Sequence, residues 1–211
     1  METFRHLSEL VGSTRVVWRF DPLILTDTLT VERLLDRVSS VAAQLRGLTD
    51  RLVISVADIS EYKKVQNKLQ RQGVRYRTCT PDVMAEIAQR LQALNRDWKL
   101  TIASCAEGID LEIYGIAHNR CIDDELMIQA FPNDRELMKF LGYEPNLFSG
   151  SCRPRLKDRG QRKECGCILS KDIGMYDTCQ HLYTYCYANA SCSVVGANRL
   201  RHHEGSDAIV S

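Results

Sequence analysis

The sequence has few aromatic residues, few prolines and no excess of charge of either sign. Aromatic side chains make up 7% of the 211 residues, prolines number 5, and the formal net charge is +1. Strong attraction to nucleic acid or to an acidic membrane surface needs a marked excess of positive charge. The net charge therefore identifies no class of partner.

Long apolar runs and an export signal are also missing. No apolar stretch approaches the roughly 20 residues that a membrane-spanning helix needs. The first ten residues combine four charged or titratable side chains with an amphipathic pattern, which is typical neither of a signal peptide nor of an anchor. We therefore expect a cytoplasmic protein without membrane contact, in which cysteine thiols stay reduced.

Cysteine is unusually abundant in this sequence. The chain has nine cysteines, an odd number that cannot pair fully within one chain. In a reducing compartment, such a density of thiols indicates a metal or iron–sulfur site rather than disulfides. Cys165-Gly166-Cys167 brings two of them together around a glycine, which lets the backbone fold tightly.

The first two thirds of the chain alternate strand and helix patterns. Apolar runs predict strands at 15–20, 51–58 and 99–107, and helical spacing predicts helices over 31–45 and from Pro81 onward. Strands that alternate with long helices imply parallel pairing. Because only three strands are convincing, we interpret the fold as α/β, a partial (β/α) barrel with a cysteine-rich C-terminal extension. The alternative is a small complete three-layer sandwich with an additional strand.

The same patterns suggest where the parts of the chain begin and end. Residues 1–143 are predicted to be the partial barrel, residues 144–190 the cluster-binding extension, and residues 191–211 a disordered tail. The basic run 153–163 lacks interleaved aromatic residues, which disfavours base stacking. Nucleic acid is therefore an improbable partner.

Polar side chains follow each predicted strand at the end where α/β barrels gather their functional groups. They are Arg19 and Asp21 after the first strand, Asp58 after the second, and Cys105 and Glu107 after the third. A structural explanation exists for each, such as an ion pair between Arg19 and Asp21. Since the pattern repeats on three strands, we interpret the set as a metal or substrate site, and the family resemblance described below implies that Arg19, Asp21, Asp58 and Glu107 line its catalytic pocket.

Four cysteines could share one metal site. Cys105 and Cys121 together with Cys165 and Cys167 can supply four thiolates to a zinc ion or to an iron–sulfur cluster. The alternative is that Cys105 and Cys121 are small buried apolar residues. The sequence suggests no role for three further cysteines, Cys79, Cys152 and Cys192.

The segment 172–189 carries a second thiol pattern. Three thiolates at the spacing Cys-x3-Cys-x2-Cys would hold three irons of a four-iron cluster and leave the fourth open. Cys179 and Cys186 fit this spacing, with an aromatic residue, Tyr185, directly before the last position. The middle position is Tyr183, and two thiolates hold such a cluster poorly.

Several motifs together resemble the bacterial family called domain of unknown function eighteen-forty-eight. They are Val17-Trp18-Arg19-Phe20-Asp21-Pro22, Cys105-Ala106-Glu107, Cys121-Ile122-Asp123, Gln161-Arg162 with Cys165-Gly166-Cys167, and 172–189. Members of that family end in a cysteine cluster similar to that of radical S-adenosylmethionine enzymes. They usually carry an additional amino-terminal part with the first barrel strands, and they have cysteine where this chain has Tyr183.

The resemblance implies a four-iron cluster and S-adenosylmethionine as cofactors, with Tyr185, Tyr187 and Asn189 beside them and Cys179 and Cys186 as cluster ligands. It implies radical chemistry on an unknown small-molecule or macromolecular substrate, and Tyr183 suggests that this chain is inactive. A separate chain would supply the missing barrel strands. The alternatives are a non-catalytic protein with a structural zinc or cluster held by four cysteines, and a degenerate product without a stable fold.

Overall fold

The computed structural model describes residues 1–57, 59–105, 108–143 and 156–210. Asp58, Glu107 and Cys152, which the sequence analysis singled out, lie outside these ranges. The elements in chain order are α1 (Glu2–Val11), β1 (Trp18–Leu23), β2 (Leu25–Thr26), α2 (Val31–Leu45), β3 (Arg51–Val56), α3 (Lys63–Arg71), β4 (Tyr76–Arg77), α4 (Pro81–Trp98), β5 (Thr101–Cys105), β6 (Ala117–Asn119), α5 (Asp124–Ala130), α6 (Arg135–Phe140) and α7 (Cys192–Leu200).

The first of two units is built on a four-stranded parallel sheet. It comprises Met1–Ile24, Leu29–Ala57 and Cys79–Ser170, and its strand order is β1-β3-β5-β6. Leu52, Val53 and Ile54 are successive residues of β3 and all are at most 1% exposed. Burial of successive side chains means that both faces of the strand are covered, as expected for a parallel sheet.

The long helices of this unit begin as their sequences predict. Thr30 Oγ1 accepts a hydrogen bond from Arg33 N, and Thr80 Oγ1 accepts one from Val83 N, each at 3.4 Å. Pro81 occupies the first turn of α4, where its fixed φ favours a helix and its missing N–H has no cost. The predicted helix 31–45 is confirmed at both ends.

The number of strands is where sequence reasoning was wrong. The sheet has four parallel strands instead of three, and the additional one is β6. This strand has only three residues, Ala117, His118 and Asn119, and two of them are exposed. A segment so short and polar has no alternating or continuous apolar pattern to detect. The mixed α/β class with a parallel sheet is confirmed, while closure into a barrel stays a prediction.

A ribbon over residues 156–169 joins the Cys-x-Cys motif to the sheet unit. Lys157 and Ile168 form an antiparallel bridge, and Ile168 N donates to the carbonyl of Ile122 at 3.1 Å. The Ile168 side chain is buried with Met138 and Leu141. Apolar burial and backbone pairing thus fix the ribbon beside the loop that follows β6.

The second unit comprises Leu25–Thr28, Asp58–Thr78 and Lys171–Ser211. It contains the antiparallel pair β2–β4, helix α3 and helix α7. The domain boundaries expected at residues 143 and 190 stay predictions. The tail expected to be disordered contains α7, because Ser191 caps it by accepting from Val194 N at 3.3 Å and Val195 is 3% exposed.

None of the helices in the described ranges combines the length and the apolar character needed to cross a bilayer.

A candidate metal centre of cysteine thiols

Cysteines from separate stretches of the first unit meet at the carboxyl end of the parallel sheet. Cys105 is the last residue of β5, and Cys121 follows two residues after β6. Their Sγ atoms lie 2.9 Å apart. Asn119, which is 5% exposed, directs its Nδ2 toward Cys121 Sγ at 3.8 Å. The two strand ends therefore bring together two thiols that are 16 residues apart in the chain.

The ribbon carries the other two thiols, those of Cys165 and Cys167. The backbone N–H groups of Cys121 and Ile122 donate to Cys167 Sγ at 3.1 and 3.4 Å. Cys165 lies two residues before Cys167 and contributes to the raised pKa of the Cys167 thiol, and both residues are buried. Hydrogen bonds thus link three of the predicted ligands, Cys105, Cys121 and Cys167, and the fourth, Cys165, precedes Cys167 on the ribbon. We call these four residues the thiol cluster.

Two contacts outside the thiol cluster hold the ribbon in place. The carbonyl of Glu164, directly before Cys165, lies within hydrogen-bond distance of His118 Nε2 on β6. A Cβ atom added to Gly166 would lie 3.0 Å from Arg120 Cγ. Glycine thus suits the position between the two cysteines because the backbone passes close to the Arg120 side chain, rather than because of an unusual turn.

Arg19 and Asp21 lie beside the thiol cluster. They form the ion pair expected of them, and Asp21 also accepts a hydrogen bond from Ser55 Oγ. Arg19 Nη1 donates in addition to Cys121 Sγ at 3.0 Å. Arg19 belongs to β1, so its side chain reaches past the ends of two intervening strands. The guanidinium therefore supplies a positive charge to the thiols, a role that sequence reasoning missed.

The thiols differ in their acidity. The hydrogen bond from the Cys105 thiol, with help from Arg19, lowers the pKa of Cys121 to about 5, and this outweighs the rise that desolvation causes. The same hydrogen bond, and burial, raise the pKa of Cys105 well above its ordinary value. Burial also raises the pKa of Cys167 to about 11. At neutral pH, Cys121 is therefore a thiolate held by a neighbouring thiol.

The pKa of Arg19 follows from the same contacts. Burial would lower it, but the Asp21 carboxylate and the thiols of Cys105 and Cys121 outweigh burial and raise it above the ordinary value. Arg19 therefore stays charged beside the Cys121 thiolate.

Cysteine sulfur is a common metal ligand, but the sulfur atoms of the thiol cluster do not lie at the distances found around a bound metal ion. Within the described ranges, no group of three or more His, Cys, Asp and Glu residues has an arrangement that would hold a metal. Two thiolates on one tetrahedral zinc, with bonds of about 2.3 Å, lie about 3.8 Å apart. The Cys105 and Cys121 sulfurs are closer, at 2.9 Å, which is the spacing of a thiol–thiolate hydrogen bond.

The chemistry of the surroundings nevertheless fits a site with four thiolates. Backbone N–H groups and a side-chain amide already point at sulfur atoms, and such outer contacts orient ligands and stabilise thiolates. Arg19 offsets part of the negative charge that four thiolates would bring. A zinc ion on these residues would require Cys105 and Cys121 to move apart from their present 2.9 Å spacing.

The cysteines of the second unit are in different surroundings. Cys179 is exposed and Cys186 is partly buried, and no hydrogen bond to either sulfur is found among the described residues. The Tyr183 ring stacks on His181 and on Tyr185, with centroids 5.6 and 5.3 Å apart and both interplanar angles at 10°. A stacked phenol does not replace a thiolate, so these residues do not fit a cluster that needs three thiol ligands.

The expected cofactor residues of the tail have other contacts. Tyr187 stacks on Tyr62, with ring centroids 5.1 Å apart. Asn189 is 3% exposed and its Nδ2 donates to the carbonyl of Cys179 at 2.7 Å. Tyr185 lies within the stack around Tyr183.

A cavity of about 300 Å³ opens next to β5 and β6, and sequence reasoning missed it. Its described lining includes the buried Ser104, His118 and the segment 108–112. The cavity was missed because His118 lies on β6, the strand that was not predicted, and because Ser104 lies within an apolar run that predicts only a buried strand. Two residues proposed for a pocket at this end, Asp58 and Glu107, lie outside the described residues, so their placement stays a prediction.

The comparisons with known proteins agree with the resemblance in the sequence. Searches of curated proteins and of solved structures give no significant match. The sequence profile of one family, described as Domain of unknown function (DUF1848), matches residues 1–188. That match extends from α1 past both groups of cysteines. The chain therefore belongs to the DUF1848 family.

Proposed function

We propose that the chain is a metal-binding protein in which Cys105, Cys121, Cys165 and Cys167 hold a single zinc ion. The observation that supports this most is the convergence of Cys105, Cys121 and Cys167 from three stretches, with backbone N–H groups directed at Cys167 Sγ. Contacts of this kind do not arise from apolar packing alone, because an inert buried thiol needs no donors.

The compactness of the thiol cluster favours one ion over an iron–sulfur cluster. A four-iron cluster places irons and sulfides between its thiolates and so spreads them further apart than a single ion does. Here Cys105 and Cys121 are within 2.9 Å, less than the spacing on zinc. An iron–sulfur cluster in the same place is the second form of this proposal.

The proposed role of the metal is structural. Four protein ligands leave no open position for substrate or water on a tetrahedral zinc. The ion would tie the ribbon that carries Cys165 and Cys167 to the strand ends that carry Cys105 and Cys121. Arg19 would compensate negative charge, and the Arg19–Asp21 pair would hold the guanidinium in position. Thiolate ligands need a reducing compartment, which supports a cytoplasmic location.

Cleavage of S-adenosylmethionine is the activity that the family resemblance suggests. We propose that this chain does not perform it, since Tyr183 occupies one of three cluster positions and stacks between two other rings. Arg19 donates to Cys121 of the thiol cluster and pairs with Asp21, and a role for these two residues in a pocket remains a prediction. The substrate that an ancestral enzyme would have used, and a second chain that completes a barrel, remain predictions.

The test is a metal count on chain purified without oxygen. We expect about one zinc per chain, and no zinc in the double variant Cys165→Ser with Cys167→Ser, since two remaining thiolates bind zinc weakly. The matched control is Cys179→Ser with Cys186→Ser, which should keep the zinc.

Two outcomes contradict the proposal. Equal metal content in the ribbon variant and in the unmodified chain shows that the thiol cluster is not the site. Loss of iron in the tail variant alone shows that the second unit holds a cluster after all.

A further inference from the structure

We propose that a cavity in the second unit binds a small oxyanion, a phosphate or a carboxylate, whose molecule also carries a hydroxyl or amino group. The cavity has a volume of about 200 Å³, and the residues that line it come from α3, from Gln72 directly after it, and from segments 182–184 and 189–192. This site is separate from the thiol cluster and does not depend on the proposed metal. Its volume lies below the range of drug-sized pockets, which start at about 300 Å³, so the ligand is small.

Positive charge is concentrated on one wall of the cavity. Lys68 and Arg71 lie one turn apart on α3, and both line the cavity. Lys68 Nζ donates to the carbonyls of Cys186 and Asn189 at 3.0 and 2.6 Å. Because an ammonium has three protons, one remains for a ligand while the other two hold the charge in place. No carboxylate is among the described lining residues.

The N-terminus of α7 forms another wall. Cys192 is its first residue and Ser191 its cap, and both line the cavity. Ser191 Oγ accepts from Val194 N, which leaves the N–H groups of Cys192 and Ser193 without a partner inside the helix. Such N–H groups, at the positive end of the helix dipole, favour a bound anion.

An independent observation concerns an unpaired acceptor in the cavity wall. Asn189 lines it, is 3% exposed, and its Oδ1 is the buried side-chain polar atom without a hydrogen-bond partner in the part of the chain that the structure describes. The amide cannot be turned around, because its Nδ2 donates to the Cys179 carbonyl. A buried carbonyl oxygen without a partner costs about 1–3 kcal/mol, so its natural partner is a donor on the ligand.

The remaining lining residues indicate which other groups the ligand carries. Gln72 Oε1 accepts from Thr184 Oγ1 at 2.8 Å, which directs the two donors of its amide away from that contact. Leu182 and Tyr183 add an apolar surface, and the Tyr183 ring is held between two others. The set has many donors, one unpaired acceptor and a small apolar wall. Phosphorylated polyols and α-amino acids both match this chemistry.

Calorimetric titration of the full chain with three probes tests the proposal. The probes are glycerol 3-phosphate, L-serine and sulfate, which is an oxyanion without a donor at neutral pH. We expect saturable binding of at least one of the first two, and weaker binding of sulfate. The probe that binds more tightly identifies the ligand as a phosphate or as a carboxylate.

Variants locate the binding. Arg71→Gln removes an exposed charge at the cavity and should weaken binding about tenfold or more, as expected for a charge-assisted hydrogen bond. Arg77→Gln removes the same charge outside the cavity and should change the affinity less than about twofold. Asn189→Leu should abolish the preference for the donor-bearing probes over sulfate.

Three results would overturn the proposal. The first is no saturable binding of any probe at millimolar concentration. The second is equal weakening by Arg71→Gln and Arg77→Gln, which indicates bulk charge attraction. The third is sulfate binding as tight as that of both other probes, which removes the role of Asn189. Arg71→Gln keeps the test decisive if Asn189→Leu does not fold.

Discussion

Cysteines occur in both units, and among the described residues the thiol cluster of the first unit is where hydrogen-bond donors are directed at sulfur. Cys105, Cys165 and Cys167 are buried, and N–H groups donate to Cys167. Cys179 is exposed, and its carbonyl, not its sulfur, is the atom that Asn189 contacts.

The comparison shows that spacing in the sequence and fitness for metal are separate properties. The tail has the spacing of a cluster motif except at Tyr183, yet its backbone is organised by carbonyl contacts to Lys68 and Asn189. The thiol cluster has no motif of regular spacing, since its members span residues 105–167. Its fitness arises from tertiary contacts that place donors around sulfur.

The largest expected effect comes from restoring the missing thiol of the tail. Tyr183→Cys, in a chain whose ribbon cysteines are both serine, should take up iron and sulfide on anaerobic reconstitution, where the parent takes up none. Three thiolates at the motif spacing can anchor three irons. Iron and sulfide counts with visible absorbance measure this.

The matched control places the new thiol at a wrong spacing. Tyr185→Cys in the same background should take up no cluster. If the unmodified chain binds iron at the tail and releases 5′-deoxyadenosine from S-adenosylmethionine, the contrast drawn between the two units is wrong.

The next effect concerns side-chain packing, which differs between the two units as their cysteine surroundings do. Ile168 is 4% exposed and Ile173 is 85% exposed, although both are isoleucines close in sequence. Ile168→Ala should lower the free energy of unfolding by about 2–5 kcal/mol because it leaves a cavity. Ile173→Ala should change it by less than about 0.5 kcal/mol. Urea unfolding followed by circular dichroism and by tryptophan fluorescence measures both, and equal losses would contradict the placement of the ribbon.

Acidity is the next contrast. Arg19→Gln removes a donor to Cys121, so the pKa of Cys121 should rise from about 5 toward its ordinary value of 9.0, though not fully while Cys105 still donates. Near pH 6, Cys121 is mostly a thiolate in the unmodified chain. A rise of its pKa to about 7 in the variant would slow alkylation at that pH about tenfold. Iodoacetamide labelling of metal-free chain, located by mass spectrometry, gives the rate.

Arg51→Gln serves as the control for Arg19→Gln. Arg51 pairs with Asp123 at 3.2 Å and does not contact the thiols. Its loss should leave the Cys121 rate unchanged. A similar decrease in both variants would mean that general charge, rather than the Arg19 hydrogen bond, sets the acidity.

The smallest effects are expected at two glycines. Gly166→Ala puts a Cβ atom 3.0 Å from the Arg120 side chain, so Arg120 must move and stability should fall by about 1 kcal/mol. Gly196 lies inside α7 with no atom within 4 Å of its added Cβ, so Gly196→Ala should stabilise that helix by about 1 kcal/mol. Thermal unfolding followed by circular dichroism should show changes of opposite sign, and the same sign in both would contradict the described packing.

Much of the fold could be predicted because its signals are local. Helix α2 has a capping threonine and an apolar face at helical spacing, and both ends were placed correctly. The three longer strands are apolar enough to be recognised. Strands β3 and β5 are shorter than predicted, whereas β1 begins and ends later than the predicted range 15–20. Strand β6 was missed because pairing with β5, not its own composition, makes Ala117–Asn119 a strand.

The sequence could indicate which cysteines belong to the candidate site, but not the contacts around them. The residue types identified Cys105, Cys121, Cys165 and Cys167 as possible partners, since thiols in a reducing compartment suggest metal. The sequence did not show that Arg19 would donate to Cys121, or that the Cys121 and Ile122 N–H groups would face Cys167. Those contacts cross strands and join residues far apart in the chain.

The sequence by itself determined the α/β class, the long helices and the set of thiols, because capping, periodicity and residue chemistry act over a few neighbouring residues. Only the tertiary structure decided that the ribbon belongs with the sheet and the tail with α3 and α7. It also decided that one cysteine becomes acidic while its neighbour does not. Burial, hydrogen bonds and charges from distant residues set these properties, and no local pattern encodes them.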